Sequence, residues 1–94
     1  MPISIAIVED DARLRETMVR MIERQKELQF VASFPDAESA LKELPDLEPN
    51  VILMDINLPG MNGVECVRQL KPKMPKTQVL MLTVYEDTDS VFGA

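Results

Sequence analysis

The sequence predicts a doubly wound α/β fold in which a parallel sheet carries helices on both faces. Short apolar runs of strand length alternate with longer stretches whose apolar residues repeat at helical spacing, and this alternation occurs four times along the 94 residues. Two of the runs, Ile3–Val8 and residues 51–54, are apolar almost throughout, which is typical of parallel strands that are buried on both sides.

The first βα unit begins with the strand Ile3–Val8 and continues, after the acidic residues 9–11, into a helix predicted over residues 12–26. The helix has apolar residues at i, i+4, i+7 and i+8, which are Leu14, Met18, Met21 and Ile22. A second strand follows at residues 28–32, where the polar Gln29 between apolar neighbours favours an edge position in the sheet.

The second and third units are separated by turn and cap residues. Pro35 ends the second strand, Asp36 can cap a second helix, and Pro45 is predicted to stop that helix. Residues 51–54 form the third strand, which delivers Asp55 to a loop at residues 56–62 with a Pro-Gly turn.

The third helix and the fourth unit complete the pattern. Asn62 and Glu65 resemble a capping box, and the inward side of the helix is predicted to hold Val64, Val67 and Leu70. Residues 79–82 form the last strand, which ends at Thr83. The stretch from Glu86 is predicted to begin a further helix.

The composition excludes several classes of function. A formal net charge of −6 opposes direct contact with nucleic-acid phosphates. The longest apolar runs fall well short of the roughly 20 residues that span a bilayer, and the N-terminus lacks a signal-peptide layout, so we expect a cytoplasmic location without a membrane partner. Cys66 is the single cysteine and histidine is absent, so any metal site would use oxygen ligands.

Carboxylates follow two strands that the common doubly wound order 2-1-3-4 makes neighbours. Glu9 and Asp10 follow the first strand and Asp55 follows the third, so we expect their side chains to meet at the carboxyl edge of the sheet. Like charges held together repel each other, and a cation relieves that repulsion. Mg²⁺ is the predicted ion, bound by Asp10, Asp55 and the backbone carbonyl of Asn57, with Glu9 holding a metal-bound water.

Asp55 is also placed to act chemically. A carboxylate at the end of a rigid strand can attack phosphorus and form an acyl phosphate when a metal and hydrogen-bond donors absorb the charge. Thr83, at the end of the next strand, can then offer its hydroxyl to a phosphoryl oxygen, which makes it a candidate switch residue.

The segments 7–11 and 54–63 together with Leu82-Thr83 resemble the receiver domains of two-component response regulators. The resemblance implies a flavodoxin-like fold, Mg²⁺ binding by the acidic pair Glu9 and Asp10, phosphorylation of Asp55 by a histidine kinase, and a switch role for Thr83. Such a domain is a phosphoacceptor in signalling and not an enzyme. Residues 58–63 and 84–87 further resemble regulators whose receiver precedes a helix-turn-helix DNA-binding domain, which would carry any role in transcription.

The chain departs from that family at its C-terminal end. The fifth strand and helix, the lysine after strand five and the aromatic switch residue have no counterpart, so we expect residues 1–94 to form a C-terminally incomplete receiver. Lys71, Lys73 and Lys76 cannot replace that lysine, because they lie before the fourth strand. The fourth strand would then be an apolar edge, which predicts a homo-oligomer formed through that edge or through exchanged elements.

Two other functions fit parts of the same pattern. The first is an interaction module that dimerises or binds a partner without phosphorylation, because it lacks the lysine. The second is a Mg²⁺-dependent phosphate-ester hydrolase using Asp55, although Asn57 cannot supply the acid that such an enzyme needs two positions beyond its nucleophile. We interpret Cys66 and the seven methionines, among them Met18, Met21, Met54 and Met81, as core filler.

Overall fold

The computed structural model describes residues 2–82, which form four parallel strands and three helices in the predicted alternation. The elements are β1 (Ile3–Val8), α1 (Ala12–Glu23), β2 (Leu28–Phe34), α2 (Ala37–Leu47), β3 (Val51–Asp55), α3 (Gly63–Leu70) and β4 (Gln78–Leu82). The strand order is β2-β1-β3-β4, so the predicted doubly wound fold is confirmed. Thr83 and the helix predicted from Glu86 lie outside the described residues.

The helices cover the two faces of the sheet unequally. On one face, α2 and α3 pack against a core that includes Ala6, Val8, Ile52 and Met54. On the other face, α1 contributes the buried Ile22, which packs with Ile5 and Ile7. Between residues 2 and 82, the second face therefore has a smaller core and a single helix over it.

Several predicted boundaries differ from the structure. Helix α1 ends at Glu23 and not near residue 26, because the N–H of Gln25 donates to the carbonyl of Ile22 at 3.0 Å, three residues back, and the chain turns there. Strand β2 runs on to Phe34, past the predicted end at residue 32, with a register shift opposite Ile5/Ala6 that accommodates one extra residue. Pro35 follows as predicted, and Gln29 lies on an edge strand.

The prediction that Pro45 stops the second helix was wrong, because α2 includes it and continues to Leu47. A proline costs a helix the hydrogen bond of its missing N–H, and this cost is smaller near the end, where few further residues depend on the ladder. The helix ends instead at Glu48, whose N–H donates to the carbonyl of Leu44 at 3.1 Å and whose left-handed backbone (φ 46°) then turns the chain out of the helix.

Two expectations about buried side chains also fail. Val64 is 49% exposed, and the inward stripe of α3 is formed by Gly63, Cys66 and Leu70, with Val67 packed beside it. Met54 is buried as predicted, whereas Met21 is 60% and Met81 38% exposed. Met81 lies on β4, which is an edge strand among the described residues, and Met21 lies on α1.

Cys66 is buried in the larger core, as expected of a packing residue. Its Sγ lies 3.9 Å from the carbonyl oxygen of Ala37, and burial raises the pKa of the thiol to about 11. The thiolate that redox chemistry requires is therefore disfavoured. Within residues 2–82, the helices all fall short of the length and apolar character needed to traverse a bilayer.

Candidate functional site

The carboxyl ends of β1 and β3 lie side by side and bring three acidic side chains together. Val8 pairs with Met54 in the sheet, so Glu9 and Asp55 are the next residues of neighbouring strands. Carboxylate oxygens of Glu9, Asp10 and Asp55 all lie within 4.8 Å of one another. The position of the carboxylates after the first and third strands, together with the common strand order, predicted this convergence, and the structure shows it.

Glu9 is fully buried, and only one of its two carboxylate oxygens accepts a hydrogen bond within the described residues. Its backbone N–H donates to the carbonyl of Phe34 at 3.0 Å, and its Oε2 accepts from the backbone N–H of Asp11 at 2.9 Å. Its other oxygen, Oε1, is buried without a hydrogen-bond partner in the described part of the chain. An unpartnered buried carboxylate oxygen is costly, so this atom is suited to a ligand that brings positive charge or a proton donor.

The pKa of Glu9 is raised from 4.5 to about 7. Burial is the main cause, and the negative charges of Asp55 and Asp10 add to it, whereas the hydrogen bond from Asp11 acts in the opposite direction. At neutral pH, the protonated and ionised forms of the Glu9 carboxyl group are therefore present in similar amounts. A bound divalent cation would favour the ionised form.

This shift predicts that the metal-free protein loses stability as pH rises. Because the folded pKa exceeds the unfolded value of 4.5, the stabilising effect of protonated Glu9 is complete below about pH 4.5 and is lost as pH rises through about 7. Between pH 5 and 8 in a chelator, we expect the free energy of unfolding to fall by about 2 kcal/mol. Urea denaturation measures it, and Glu9→Gln should remove most of the decrease.

Asp55 ends β3 with its side chain almost entirely buried, at 2% exposure. Its Oδ1 accepts from the backbone N–H of Asn57 at 3.0 Å, which is the hydrogen bond that its carboxylate forms within residues 2–82. The next residue, Ile56, donates its N–H to the carbonyl of Leu82 at 3.0 Å, which ties the start of the loop to the end of β4. One carboxylate oxygen is thus held in place and the other is available for chemistry.

Gly63, the first residue of α3, lies against the backbone of Asp55. Its N–H donates to the carbonyl of Ile56 at 3.0 Å, and a Cβ built on it would collide with the carbonyl oxygen of Asp55. Sequence reasoning missed this residue. The sequence showed only a glycine directly after the helix cap Asn62. Most side chains are tolerated at that position, so the glycine did not indicate a close approach to Asp55.

Arg15 was also missed by sequence reasoning. Its guanidinium group reaches back from α1 and donates through Nη1 to the carbonyl of Glu9 at 2.8 Å. A long contact of 3.5 Å joins the same nitrogen to the carbonyl of Asp10. The sequence offered no sign that this arginine, among others on the helix, would contact the acidic loop.

The remaining predicted residues lie at the rim of the site, outside the described part, or far away. Asn57 is exposed in the loop after β3, and Thr83 follows the last described residue of β4. The loop before β4 holds the lysines at residues 71, 73 and 76, at the opposite end of the strands. There Lys71 Nζ donates to the carbonyl of Thr77 at 2.7 Å, and the other two line a cleft of about 440 Å³.

The donor set at the strand ends fits Mg²⁺. The ion takes oxygen ligands and is usually bound by one or two carboxylates while it keeps several waters. Asp10 and Asp55 offer such carboxylates, and the unpartnered Glu9 Oε1 would be an acceptor for a water held by such an ion. The absence of histidine and the burial of the one cysteine disfavour a softer metal.

The family model and the relatives described here place the chain in the same family. Residues 5–94 match the family model described as the response regulator receiver domain. The chain is 38% identical over 89 residues to the transcriptional regulatory protein DegU of Brevibacillus brevis, covering 95% of this chain and 38% of that protein. It is 31% identical over 94 residues to the response regulator protein VraR of Staphylococcus saprophyticus, covering 100% of this chain and 45% of that protein.

Solved structures of the same kind are superimposable on the chain. The response regulator domain of Thermotoga maritima CheB gives a TM-score of 0.83 at 28% identity, covering 97% of this chain and 69% of that one. A DNA-binding response regulator of the LuxR family from Staphylococcus aureus gives a TM-score of 0.79 at 28% identity, covering 95% and 74%. This chain thus spans less than half the length of the two curated relatives described above.

Proposed function

The chain belongs to the response regulator receiver domain family, and from this premise we propose that Asp55 accepts a phosphoryl group from a histidine kinase at a Mg²⁺ site formed with its neighbours. The observation that carries the proposal is the meeting of three carboxylates at the carboxyl end of β3, one of them with a free buried oxygen. Such a cluster is costly unless a cation or a proton neutralises it.

Asp55 has the position and the freedom that a nucleophile needs. Its Oδ1 is fixed by the N–H of Asn57, so Oδ2 is the oxygen that attacks phosphorus. In the transfer, the bond from Oδ2 to phosphorus forms while the bond from phosphorus to the imidazole nitrogen of the kinase breaks. The released nitrogen keeps the electron pair of the broken bond, and the product is an acyl phosphate on Asp55.

The other residues prepare the site for this step. Asp10, Asp55 and the Asn57 carbonyl would hold Mg²⁺, and Glu9 would hold a coordinated water. When bound, Mg²⁺ supplies positive charge to the oxygens of the transferring group. The Thr83 hydroxyl is proposed to contact a phosphoryl oxygen afterwards and to act as the switch.

Incubation with acetyl phosphate tests the proposal without the cognate kinase. We expect intact-mass analysis to show one added phosphoryl group in Mg²⁺ and none in a chelator. Hydroxylamine should remove the group, because it cleaves acyl phosphates. Failure to find any adduct with acetyl phosphate, together with unchanged spectra in beryllofluoride and Mg²⁺, would exclude the phosphoacceptor role for this chain.

We further propose that the phosphorylated domain regulates transcription through a DNA-binding domain of a longer protein. The support is the similarity to DegU, a transcriptional regulatory protein, and to a DNA-binding response regulator. The net charge of −6 makes direct contact between this segment and nucleic acid unfavourable. The domain would act as a signalling switch and not as an enzyme that turns over a phosphate ester, because Asn57 cannot supply the acid that such an enzyme needs two positions beyond Asp55.

A second candidate function, dimerisation that needs no phosphorylation, is favoured by the exposed apolar surface at β4. Among the described residues β4 is an edge strand, with Leu80 55% and Met81 38% exposed. On the α1 face, Leu53 and Leu82 continue this surface into an apolar groove of about 540 Å³. An apolar edge strand is a template for a second chain.

For the 94-residue chain, this candidate predicts a dimer or larger oligomer at micromolar concentration. Leu80→Lys should shift the population toward the monomer, because a charge at an edge disfavours strand pairing. Val64→Lys, at a similarly exposed position on α3, is the control and should leave the oligomer unchanged. Light scattering that reports a monomer for the unmodified chain would rule the candidate out.

A further inference from the structure

Arg15 holds the backbone of the acidic loop between β1 and α1. Its Nη1 donates to the carbonyl of Glu9 at 2.8 Å and lies 3.5 Å from the carbonyl of Asp10. Its own backbone N–H donates to the carbonyl of Asp11 at 2.9 Å, as part of the first turn of α1. One residue thus contacts the carbonyl groups of all three loop residues.

The side chain of Arg15 contacts backbone carbonyl groups and not the nearby carboxylates. A guanidinium group beside a cluster of carboxylates usually forms an ion pair with one of them. Here it binds carbonyl oxygens, and the one ion pair within residues 2–82 joins Arg68 and Glu65 on α3, away from the site. The carboxylate oxygens of Glu9, Asp10 and Asp55 are therefore left free of arginine while the loop that carries the first two is fixed.

We propose that Arg15 is a positioning residue for the cation site, which orients the Glu9-Asp10 backbone so that both carboxylates converge with Asp55 on a divalent ion. The inference rests on the proposed function, because it concerns the same site. Loss of a partner that orients a metal ligand typically weakens metal binding about 10–100-fold. Arg15 would exert that control through backbone carbonyls.

Electrostatics alone predicts the opposite effect. Arg15 carries a positive charge close to the site, so removing it reduces repulsion of a cation and strengthens binding. Arg13 provides the matched control, since it lies two residues away on the same helix, is exposed, and makes no side-chain hydrogen bond or ion pair within residues 2–82. Arg13→Met and Arg15→Met remove the same charge, but only the second removes the contacts to the loop.

The test compares Mg²⁺ binding to the folded protein and its two variants by calorimetry, with Mn²⁺ binding followed by electron paramagnetic resonance. We expect Arg15→Met to bind about tenfold more weakly and Arg13→Met to bind as tightly as the unmodified protein or more tightly. In the metal-free protein, hydrogen exchange at the Asp11 amide, which donates to Glu9 Oε2, should accelerate in Arg15→Met alone.

Each outcome decides the inference. Equal or tighter Mg²⁺ binding by Arg15→Met, when the unmodified protein binds the ion, overturns the role of Arg15 and leaves the proposed function standing. Equal weakening by Arg13→Met also overturns it, because the effect would then not arise from the loop contacts. If the unmodified protein binds neither ion, the proposed function and the inference both fail. A loss of stability with unchanged affinity and exchange would indicate a structural role only.

Discussion

We expect Asp55→Asn to abolish the phosphoryl adduct that acetyl phosphate and Mg²⁺ are predicted to form on the unmodified chain. The amide keeps the shape of the side chain, and its oxygen can still accept the hydrogen bond from the N–H of Asn57. It lacks the negative oxygen that attacks phosphorus, so the rate of adduct formation falls to background. We expect intact-mass analysis to show complete loss of the added group.

The same substitution has a second expected effect, which shows that the variant is folded. The charge of Asp55 contributes to the raised pKa of Glu9. Its removal lowers that pKa and relieves repulsion among the three carboxylates, so the metal-free variant should be at least as stable as the unmodified protein near pH 8. Thermal or urea denaturation in a chelator measures this.

Asp11→Asn is the matched control for the chemistry. Asp11 lies beside the site, but its Oδ1 caps α1 by accepting from the N–H groups of Arg13 and Leu14. Asparagine is as good a helix cap, so fold and adduct should both survive. An adduct that persists in Asp55→Asn, or that disappears only in Asp11→Asn, would contradict the assignment of Asp55 as the phosphoacceptor.

The sheet and the meeting of the carboxylates were predictable from sequence because both follow from patterns with few alternatives. Buried parallel strands are nearly continuous apolar runs, and residues after such strands emerge at one edge. These two facts were sufficient to predict that Glu9 and Asp55 lie close together. The roles assigned to Glu9, Asp10, Asp55, Thr83 and the Asn57 carbonyl stay predictions.

The contacts that refine the site were not predictable, because they depend on tertiary distances. The burial of Glu9 Oε1 and the contact of Arg15 with the loop carbonyls arise where separate elements pack. The exposure of Met21 likewise depends on what covers one face of the sheet, and the helical spacing alone could not reveal it. The continuation of α2 beyond Pro45 shows that a proline does not always end a helix, because the lost hydrogen bond costs less near the helix end.

Gly63→Ala should both destabilise the fold and impair the site. An alanine in an exposed helix normally stabilises by up to about 1 kcal/mol relative to glycine. Here the added Cβ meets the carbonyl oxygen of Asp55 and the backbone of Ile56, neither of which is the end of a flexible side chain. Overpacking of this kind typically costs about 1–3 kcal/mol, so we expect a net loss of roughly 2 kcal/mol in the free energy of unfolding.

Gly63→Ala should also slow the reaction at Asp55, because the clash is relieved only by moving α3 away from the end of β3. Such a movement breaks the hydrogen bond from the Gly63 N–H to Ile56 and displaces the loop whose Asn57 N–H fixes Asp55. Adduct formation should slow by about tenfold, since small misplacements of reacting groups reduce rates this strongly. Val64→Ala, at the next and exposed position, should change neither stability nor rate appreciably. If Gly63→Ala unfolds at the same or a higher urea concentration, the close approach of α3 to Asp55 is not a constraint on this fold.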